Sequence, residues 1–322
     1  MSYTNILVDV FNVYHKYKAV THSDDMFDIC RKAVDAINSY KEHIEKGGDL
    51  YLLFDPIPKS DLGESKVFRL TYRSQIYKDY KANRKYDAED LKAISFLRSY
   101  FKFRGEHVKT VISNMYEADD YVESLVASLP KRIALVSTDY DWARYVSDDV
   151  DLINDGFDNP FNKQAFIDKF GFKPSIVNLT IYKAVFGDSS DNIQKLSTLK
   201  KVFYYGDIEK ACIDMLKENE IDDLKTFVDN VNFYNVADYM QKEESSAFEK
   251  FAFLLHSAEY KQKSPIPIEV FHTNIQLIRC ICKDASKYVH YCNENSAMNK
   301  VLDASIGVGI VKKKIVFGGI KI

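Results

Sequence analysis

Three short apolar segments, each ending in or closely followed by aspartate, constrain the fold of this chain most strongly. They are NILVDV at 5–10, LYLLFD at 50–55 and RIALVSTDYD at 132–141. Continuous apolar runs of this length are typical of parallel strands that are covered on both faces. Segments with helical periodicity separate them. This alternation of strand and helix predicts an α/β fold with a mostly parallel central sheet flanked by helices.

Carboxylates lie at the C-terminal ends of all three predicted strands. They are Asp9, Asp55 and the pair Asp139 and Asp141. Parallel sheets bind ligands outside the carboxyl ends of their strands, so these side chains are expected at one edge of the sheet. An aspartate at a single strand end is explained equally well as a helix cap. Three strands that share the feature favour a functional site.

Two further segments add carboxylates to this edge. YEADDYVESL carries three acids at the start of an amphipathic helix, and GDSSDN carries two that are three residues apart. A helix cap or a turn explains one acid in each segment. Negative charge at a helix N-terminus stabilises the helix by only about 1 kcal/mol, which is a weak reason for several acids together. The nine candidate metal ligands are Asp9, Asp55, Glu117, Asp119, Asp120, Asp139, Asp141, Asp188 and Asp191.

So dense a group of carboxylates requires cations, because the negative charges repel one another. Oxygen ligands without His or Cys among them indicate Mg²⁺, for which Mn²⁺ can substitute. Two such ions about 4 Å apart form a clamp for the attack of water on a phosphodiester. The carboxylate set therefore predicts hydrolysis by a two-metal mechanism.

A basic segment rich in tyrosine, YRSQIYKDYKANRKYDAED, follows the second predicted strand. The chain has a net charge of −3, yet residues 59–110 contain thirteen Lys or Arg against seven Asp or Glu. Interleaved basic and aromatic residues suit phosphate neutralisation together with base stacking on a single strand. The alternative is a solvated amphipathic helix without a ligand.

Composition argues against other classes of protein. Five cysteines, an odd number, do not indicate a disulfide framework. No apolar run approaches the roughly 20 residues of a membrane span, and the first residues lack a basic segment followed by an apolar one. We therefore expect a soluble cytoplasmic protein without a membrane partner.

Together these segments resemble the 5′ nuclease family of flap endonucleases and 5′→3′ exonucleases. The likeness is greatest to its bacteriophage branch, which includes the ribonuclease H of T-even phages. It rests on the strand that ends at Asp9 and on LLFD, YKDYKANR, YEADD, VSTDYDW and GDSSDN, in the family's order over about residues 1–195. The resemblance implies a PIN-like 5′-nuclease fold with a helical arch and a degenerate helix-hairpin-helix subdomain.

The resemblance also implies how the carboxylates share two metal ions. Those nearer the scissile phosphate would be Asp55, Glu117, Asp119 and Asp139, with Asp9 beside them. The others, Asp120, Asp141, Asp188 and Asp191, would complete the site, the last three mainly around the second ion.

Roles toward nucleic acid follow from the same resemblance. Tyr80, Lys81 and Arg84 match arch residues that stack on the terminal base and stabilise transition-state charge. The basic residues themselves predict further nucleic-acid contacts, which are Arg69, Arg73, Lys78, Lys85, Lys195, Lys200 and Lys201.

Three regions are predicted along the chain. They are a nuclease α/β domain at 1–185 with the arch at about 59–105, a helical DNA-binding subdomain at 186–262, and a C-terminal extension at 263–322 that returns to the body. After GDSSDN the chain lacks the glycines with which the family builds a hairpin that grips duplex DNA and a monovalent cation. Close approach of backbone to phosphate normally needs glycine. We therefore predict altered binding of duplex DNA, and we do not predict a site for the monovalent cation.

The predicted function is that of a Mg²⁺-dependent, structure-specific 5′ nuclease, a monomer that removes primers or flaps in replication. Its expected substrates are 5′ flaps, nicked or branched DNA duplexes, and RNA–DNA hybrids. Contact of the C-terminal extension with a single-strand-binding protein or a sliding clamp is an alternative to simple packing.

Two other functions stay open. A PIN-like ribonuclease also begins its sheet with an aspartate, here Asp9 followed by Asn12, and would cut single-stranded RNA without needing a 5′ end. A non-catalytic relative would bind branched DNA without cutting it.

Overall fold

The structure is a computed structural model. It describes residues 2–21, 23–56, 71–77, 79–81, 88–105, 107–198, 205–235, 242, 244–256, 267–279, 282–292, 294–307, 316–317 and 320–321.

A six-stranded sheet organises the described residues. Its strands are β1 (Tyr3–Asp9), β2 (Ile44–Phe54), β3 (Val108–Ile112), β4 (Ile133–Val136), β5 (Val150–Ile153) and β6 (Val289–Tyr291). Their order across the sheet is β5-β4-β1-β2-β3-β6. All neighbours run parallel except β3 and β6, which are antiparallel. The predicted mostly parallel central sheet is confirmed.

The register of the strands brings their acidic ends together. Asp9 at the end of β1 is paired with Leu53 of β2, so Asp55 follows two residues later at the same edge. Val8 is paired with Val136, the last residue of β4, which Asp139 follows after three residues. Parallel pairing thus places the carboxyl ends of three strands at one edge, as their sequences predict.

Twelve helices are described, and four short 3₁₀ helices occupy Tyr40–His43, Tyr140–Tyr145, Leu196–Thr198 and Ala285–Tyr288. The α-helices are α1 (Val10–Val20), α2 (Met26–Ser39), α3 (Tyr72–Ile76), α4 (Ala88–Phe101), α5 (Ala118–Ser128), α6 (Lys163–Phe170), α7 (Ile176–Phe186), α8 (Tyr205–Glu218), α9 (Leu224–Asn232), α10 (Ala247–His256), α11 (Pro267–Ile278) and α12 (Ser296–Gly307). Two further strands, β7 (Val316–Phe317) and β8 (Ile320–Lys321), pair with each other.

Apolar side chains cover both faces of the sheet, which explains why its strands are continuous apolar runs. Helices α1, α2, α4 and α12 pack on one face, where Ile6 and Val8 lie. The other face, with Leu7 and Leu135, is covered by α5 and α7 and continues into α8 to α11. The helical region after GDSSDN therefore shares a core with the sheet.

The predicted arch at 59–105 overlaps helix α4. Ala93, Ile94, Phe96 and Leu97 of this helix are buried in the core that α2 also lines, so residues 88–101 pack in the body. Residues 57–70 and 82–87, on which the arch itself depends, lie outside the described residues. The division into three regions stays a prediction.

Among the described helices, none is long and apolar enough to cross a membrane.

Candidate metal centre

Aspartates at two strand ends are held by backbone amides. Asp9 caps helix α1, and its Oδ1 accepts a hydrogen bond from the Asn12 amide at 3.0 Å. Asp55 Oδ1 accepts one from the Ala118 amide at 2.9 Å, which ties the end of β2 to the start of α5. These hydrogen bonds fix one oxygen of each carboxylate, and Asp9 Oδ2 also accepts a hydrogen bond from the Ser137 hydroxyl at 3.4 Å.

The start of helix α5 points its acids in different directions. Glu117 is the cap residue, and Asp120 Oδ2 accepts a hydrogen bond from the Glu117 amide at 2.9 Å. Asp119 instead accepts a hydrogen bond from the indole of Trp142 at 2.6 Å. The indole lies beside Asp141 in sequence, so it directs Asp119 toward the acids that follow β4.

Three carboxylates form the tightest acidic group in the part of the chain that is described. One oxygen from each of Asp119, Asp139 and Asp141 lies within 4.8 Å of the others. Burial and the neighbouring Asp119 raise the pKa of Asp139 to about 6. Burial also raises the pKa of Asp9 well above its ordinary value, with added repulsion from Asp55, Asp119 and Asp139. Five carboxylates thus interact at this edge, which we call the acidic edge.

Lys183 of α7 is a member of the site that the sequence analysis missed. Its ammonium contacts Asp141 and lies 3.0 Å from Asp188 Oδ2. Burial raises the pKa of Asp188, but Lys183 and hydrogen bonds from Ser190 outweigh this and lower it below its ordinary value. A single lysine among the apolar residues of TIYKAVF, five positions before Asp188, is the signal that could have identified it.

The other three predicted ligands, Glu117, Asp120 and Asp191, belong to a buried network with protein cations. Arg73 donates to Asp120 at 2.8 Å and to Glu117 at 3.2 Å. Lys81 donates to Glu117 at 2.6 Å, and its ammonium lies 3.6 Å from Asp191. The structure therefore divides the nine acids into the acidic edge with Asp188 nearby, and this network.

Tyr80 connects the two halves of the network. Its hydroxyl lies 3.0 Å from Glu117 Oε2, 3.1 Å from Asp191 Oδ2 and 3.1 Å from Arg73 Nη1. Lys81 beside it has a φ of 52°, in the left-handed region that non-glycine residues rarely adopt. Backbone strain of this kind is concentrated at functional sites.

Two residues with predicted roles toward nucleic acid are buried. Arg73, expected to contact nucleic acid, is 4% exposed and its guanidinium binds carboxylates. Tyr80, expected to stack on a base, is 5% exposed and covered by its neighbours. Both side chains are buried because the short helix α3 and the turn after it pack against the start of α5.

The remaining predicted nucleic-acid contacts are mostly outside the described residues. Lys195 is described: it is partly exposed, pairs with Glu209 at 3.0 Å and lies over the ring of Phe186. Those outside are Arg69, Lys78, Arg84, Lys85, Lys200 and Lys201.

Comparison with known proteins identifies the family. A model of the 5′-3′ exonuclease N-terminal, resolvase-like domain matches residues 10–171, half of the chain. The chain belongs to the 5′-3′ exonuclease family. This 5′-3′ exonuclease family member is therefore a nuclease, an enzyme that hydrolyses phosphodiester bonds, and the resemblance seen in the sequence is confirmed.

Relatives and solved structures agree with this family. The 5′-3′ exonuclease of Buchnera aphidicola is 24% identical over 233 residues, which are 70% of this chain and 76% of that protein. A crystal structure of a bacteriophage T5 protein with metal ions matches with a TM-score of 0.52 and 19% identity, over 94% of this chain and 97% of that one. The T5 flap endonuclease in a complex with DNA and metal ions has a TM-score of 0.50 and 18% identity, over 94% and 93%. At these identities the two structures bear on the fold alone, and they confirm the predicted PIN-like 5′-nuclease fold of this chain.

The raised pKa of Asp139 predicts how pH affects stability of the metal-free protein. Above pH 6 the ionised Asp139 carboxylate lowers the free energy of unfolding. As pH falls from about 6 toward 3.8, the ordinary pKa of aspartate, the folded protein binds a proton there and becomes more stable. We expect the free energy of unfolding in EDTA to be larger at pH 5 than at pH 7.5 by about 1 to 3 kcal/mol. Urea denaturation at both pH values measures this, with Asp139→Asn as the control in which the difference shrinks. Equal stability of the wild type at both pH values would contradict the prediction.

Proposed function

We propose that this family member is a Mg²⁺-dependent, structure-specific 5′ nuclease that cuts DNA at 5′ flaps and nicks. The observation that carries the proposal is the acidic edge itself, where five carboxylates from three strand ends and one helix start converge. Burying so many charges together is costly without a cation. The T5 proteins of this fold, crystallised with metal ions and with DNA, support the same conclusion.

The donor set fits a hard divalent cation. Asp119, Asp139 and Asp141 offer oxygens within 4.8 Å of one another, a spacing that one ion can bridge. All donors are carboxylates, which favours Mg²⁺ or Mn²⁺ over zinc. Asp9 and Asp55 would complete the coordination of this ion, and Asp141 with Asp188 would hold a second one.

Bound divalent ions would supply activation of water and neutralisation of the phosphate charge. The chain's own residues hold the acids in place: backbone caps orient Asp9 and Asp55, and Trp142 orients Asp119. Lys183 places a positive charge between Asp141 and Asp188, and this charge offsets the repulsion between the two carboxylates. Lys81 would stabilise charge on the phosphate, as the family resemblance implies.

A cleft beside the site suits a nucleic-acid strand. Tyr77, Phe186, Asp188, Asn192 and Lys195 line a cavity of about 750 Å³ next to the acidic edge. It combines two aromatic rings with an ammonium group. The bases of a single strand stack on aromatic rings, and its phosphates pair with positive charges. The strand that enters here would pass directly by Asp188.

We also propose that the protein has ribonuclease H activity and removes primers. An RNA–DNA hybrid with a recessed 5′ end would use the same acidic edge, since the chemistry at the phosphate is the same. Contacts with a single-strand-binding protein or a sliding clamp stay predictions, because residues 308–315 lie outside those described.

A 5′-flap DNA labelled at each end in turn tests the proposed function. We expect cleavage near the branch in Mg²⁺, none in EDTA, and loss of cleavage when a bulky group blocks the flap end. A matched substrate with an RNA flap measures ribonuclease activity. Cleavage of single-stranded RNA that is indifferent to the block would favour a PIN-like ribonuclease. Binding without cleavage in Mg²⁺ and Mn²⁺ would contradict the proposal.

A further inference from the structure

Arg73 is a buried cation near the site, and the mechanism above gives it no role. Its side chain is 5% exposed and lies within 4 Å of three acids at the start of α5. Nη2 lies 2.8 Å from Asp120 Oδ1, and Nη1 lies 3.2 Å from Glu117 Oε2 and 3.8 Å from Asp119 Oδ2. A guanidinium with both ends bound to carboxylates has a fixed orientation.

We propose that Arg73 is a positioning residue, which binds Glu117 and Asp120 so that neither carboxylate coordinates a metal ion directly. The inference rests on the proposed function and deepens it. It separates the acids of α5 by role. Trp142 orients Asp119 toward the acidic edge, although Arg73 also lies 3.8 Å from it. Glu117 and Asp120 bind the guanidinium more closely, at 3.2 and 2.8 Å.

Charge supports this separation. Glu117 and Asp120 are each 1% exposed, and a buried carboxylate needs a partner cation. Arg73 and Lys81 already provide two positive charges to this network. A divalent ion on the same oxygens would place further positive charge beside a buried guanidinium, which is unfavourable.

The same guanidinium also holds the segment that carries Lys81. Arg73 Nη1 lies 3.1 Å from the Tyr80 hydroxyl, and Tyr80 and Lys81 both contact Glu117 Oε2. The Lys81 amide donates to the Asp191 carbonyl at 3.2 Å. Arg73 thereby sets the position of Lys81 relative to the acidic edge through the shared carboxylate.

Removal of Arg73 should change metal binding and cleavage in opposite directions. Arg73→Met leaves two buried carboxylates with less positive charge, so they attract divalent cations more strongly. We expect the dissociation constant for Mn²⁺ at pH 8, measured by titration calorimetry without DNA, to fall at least about threefold. We expect kcat for flap cleavage to fall at least about 30-fold, because the acids and Lys81 are no longer held in place.

A matched control is available at Arg104. It donates to Asp303 at 2.8 Å and lies 3.6 Å from the centre of the Tyr100 ring, much as Arg73 is placed beside Asp120 and Tyr80. Arg104 lies just before the N-terminal end of β3, and the acidic edge is at the opposite, C-terminal ends of the strands. Arg104→Met should leave both the Mn²⁺ dissociation constant and kcat within about twofold of the wild type.

Two further variants keep the test decisive if Arg73→Met folds poorly. Arg73→Lys retains the charge but cannot bridge two carboxylates, so it should show the same changes to a smaller extent. The double variant Arg73→Met with Asp120→Asn removes both charges and should return the Mn²⁺ affinity to the wild-type value. A merely structural role would not produce this recovery.

The outcomes separate the inference from the proposed function. Unchanged or weaker Mn²⁺ binding in Arg73→Met and Arg73→Lys would overturn the role given to Arg73. Unchanged Mn²⁺ binding together with weaker flap binding in Ca²⁺ would instead make Arg73 a phosphate contact. Absence of Mn²⁺ binding in the wild type would overturn the proposed function itself.

Discussion

Asp139→Asn is expected to abolish flap cleavage, with kcat reduced at least about a thousandfold. Asp139 shares the tightest acidic group with Asp119 and Asp141, and burial together with repulsion from Asp119 raises its pKa to about 6. The amide keeps the size of the side chain and removes its charge. Single-turnover cleavage in Mg²⁺ measures the loss, and flap binding in Ca²⁺ should stay within about threefold of the wild type.

A control for this variant replaces an acid that takes no part in the site. Asp303→Asn removes the carboxylate that pairs with Arg104, and it should leave cleavage unchanged. Thermal unfolding of both proteins in EDTA separates folding from chemistry, since loss of repulsion should stabilise Asp139→Asn. Full activity of Asp139→Asn would mean that cleavage does not depend on the acidic edge.

Lys81→Met should have the second largest effect, a reduction of kcat by about 100- to 1000-fold. Lys81 lies at the point where Glu117 and Asp191 meet, in a backbone conformation with a φ of 52°. The side chain is 6% exposed, and we expect its ammonium group to stabilise charge on a phosphate that reaches the neighbouring acidic edge. The substitution keeps most of the unbranched side chain and removes its charge.

The matched control for Lys81 is Lys109 of β3. It also forms a short ion pair, 2.5 Å from Asp49, and contacts a tyrosine hydroxyl, that of Tyr51, at 3.2 Å. It lies near the start of its strand, away from the acidic edge. Lys109→Met should change kcat less than about twofold. If Lys81→Met is as active as Lys109→Met, Lys81 does not stabilise charge in the reaction, whereas partial activity of Lys81→Arg would support that role.

Most of the acidic edge could be predicted from sequence because local patterns carry the information. An apolar run that ends in aspartate predicts both the strand and the position of its acid. Once parallel pairing is assumed, Asp9, Asp55 and Asp139 must meet. The acids of YEADDYVESL and GDSSDN added Asp119 and Asp188, and the family resemblance agrees with them. These predictions needed no knowledge of individual side-chain contacts.

The roles of Arg73 and Tyr80 could not be predicted in the same way. Basic and aromatic residues in YRSQIYKDYK have the composition of a surface that binds nucleic acid. Composition does not show which face of a short segment is buried. The packing of that segment against the start of α5 decides it, and the result is that both side chains face carboxylates.

The sequence by itself determined the α/β fold, the edge of the sheet at which acids gather, and the family. Only the tertiary structure decided which cation meets which acid. Arg73 is 44 residues from Glu117 and 47 from Asp120, and Tyr80 is 111 residues from Asp191. No periodic pattern connects residues so far apart, because their contact depends on how whole elements pack. For this reason the sequence grouped Glu117 with Asp55, Asp119 and Asp139, whereas the structure places Glu117, Asp120 and Asp191 in a buried network with Arg73 and Lys81.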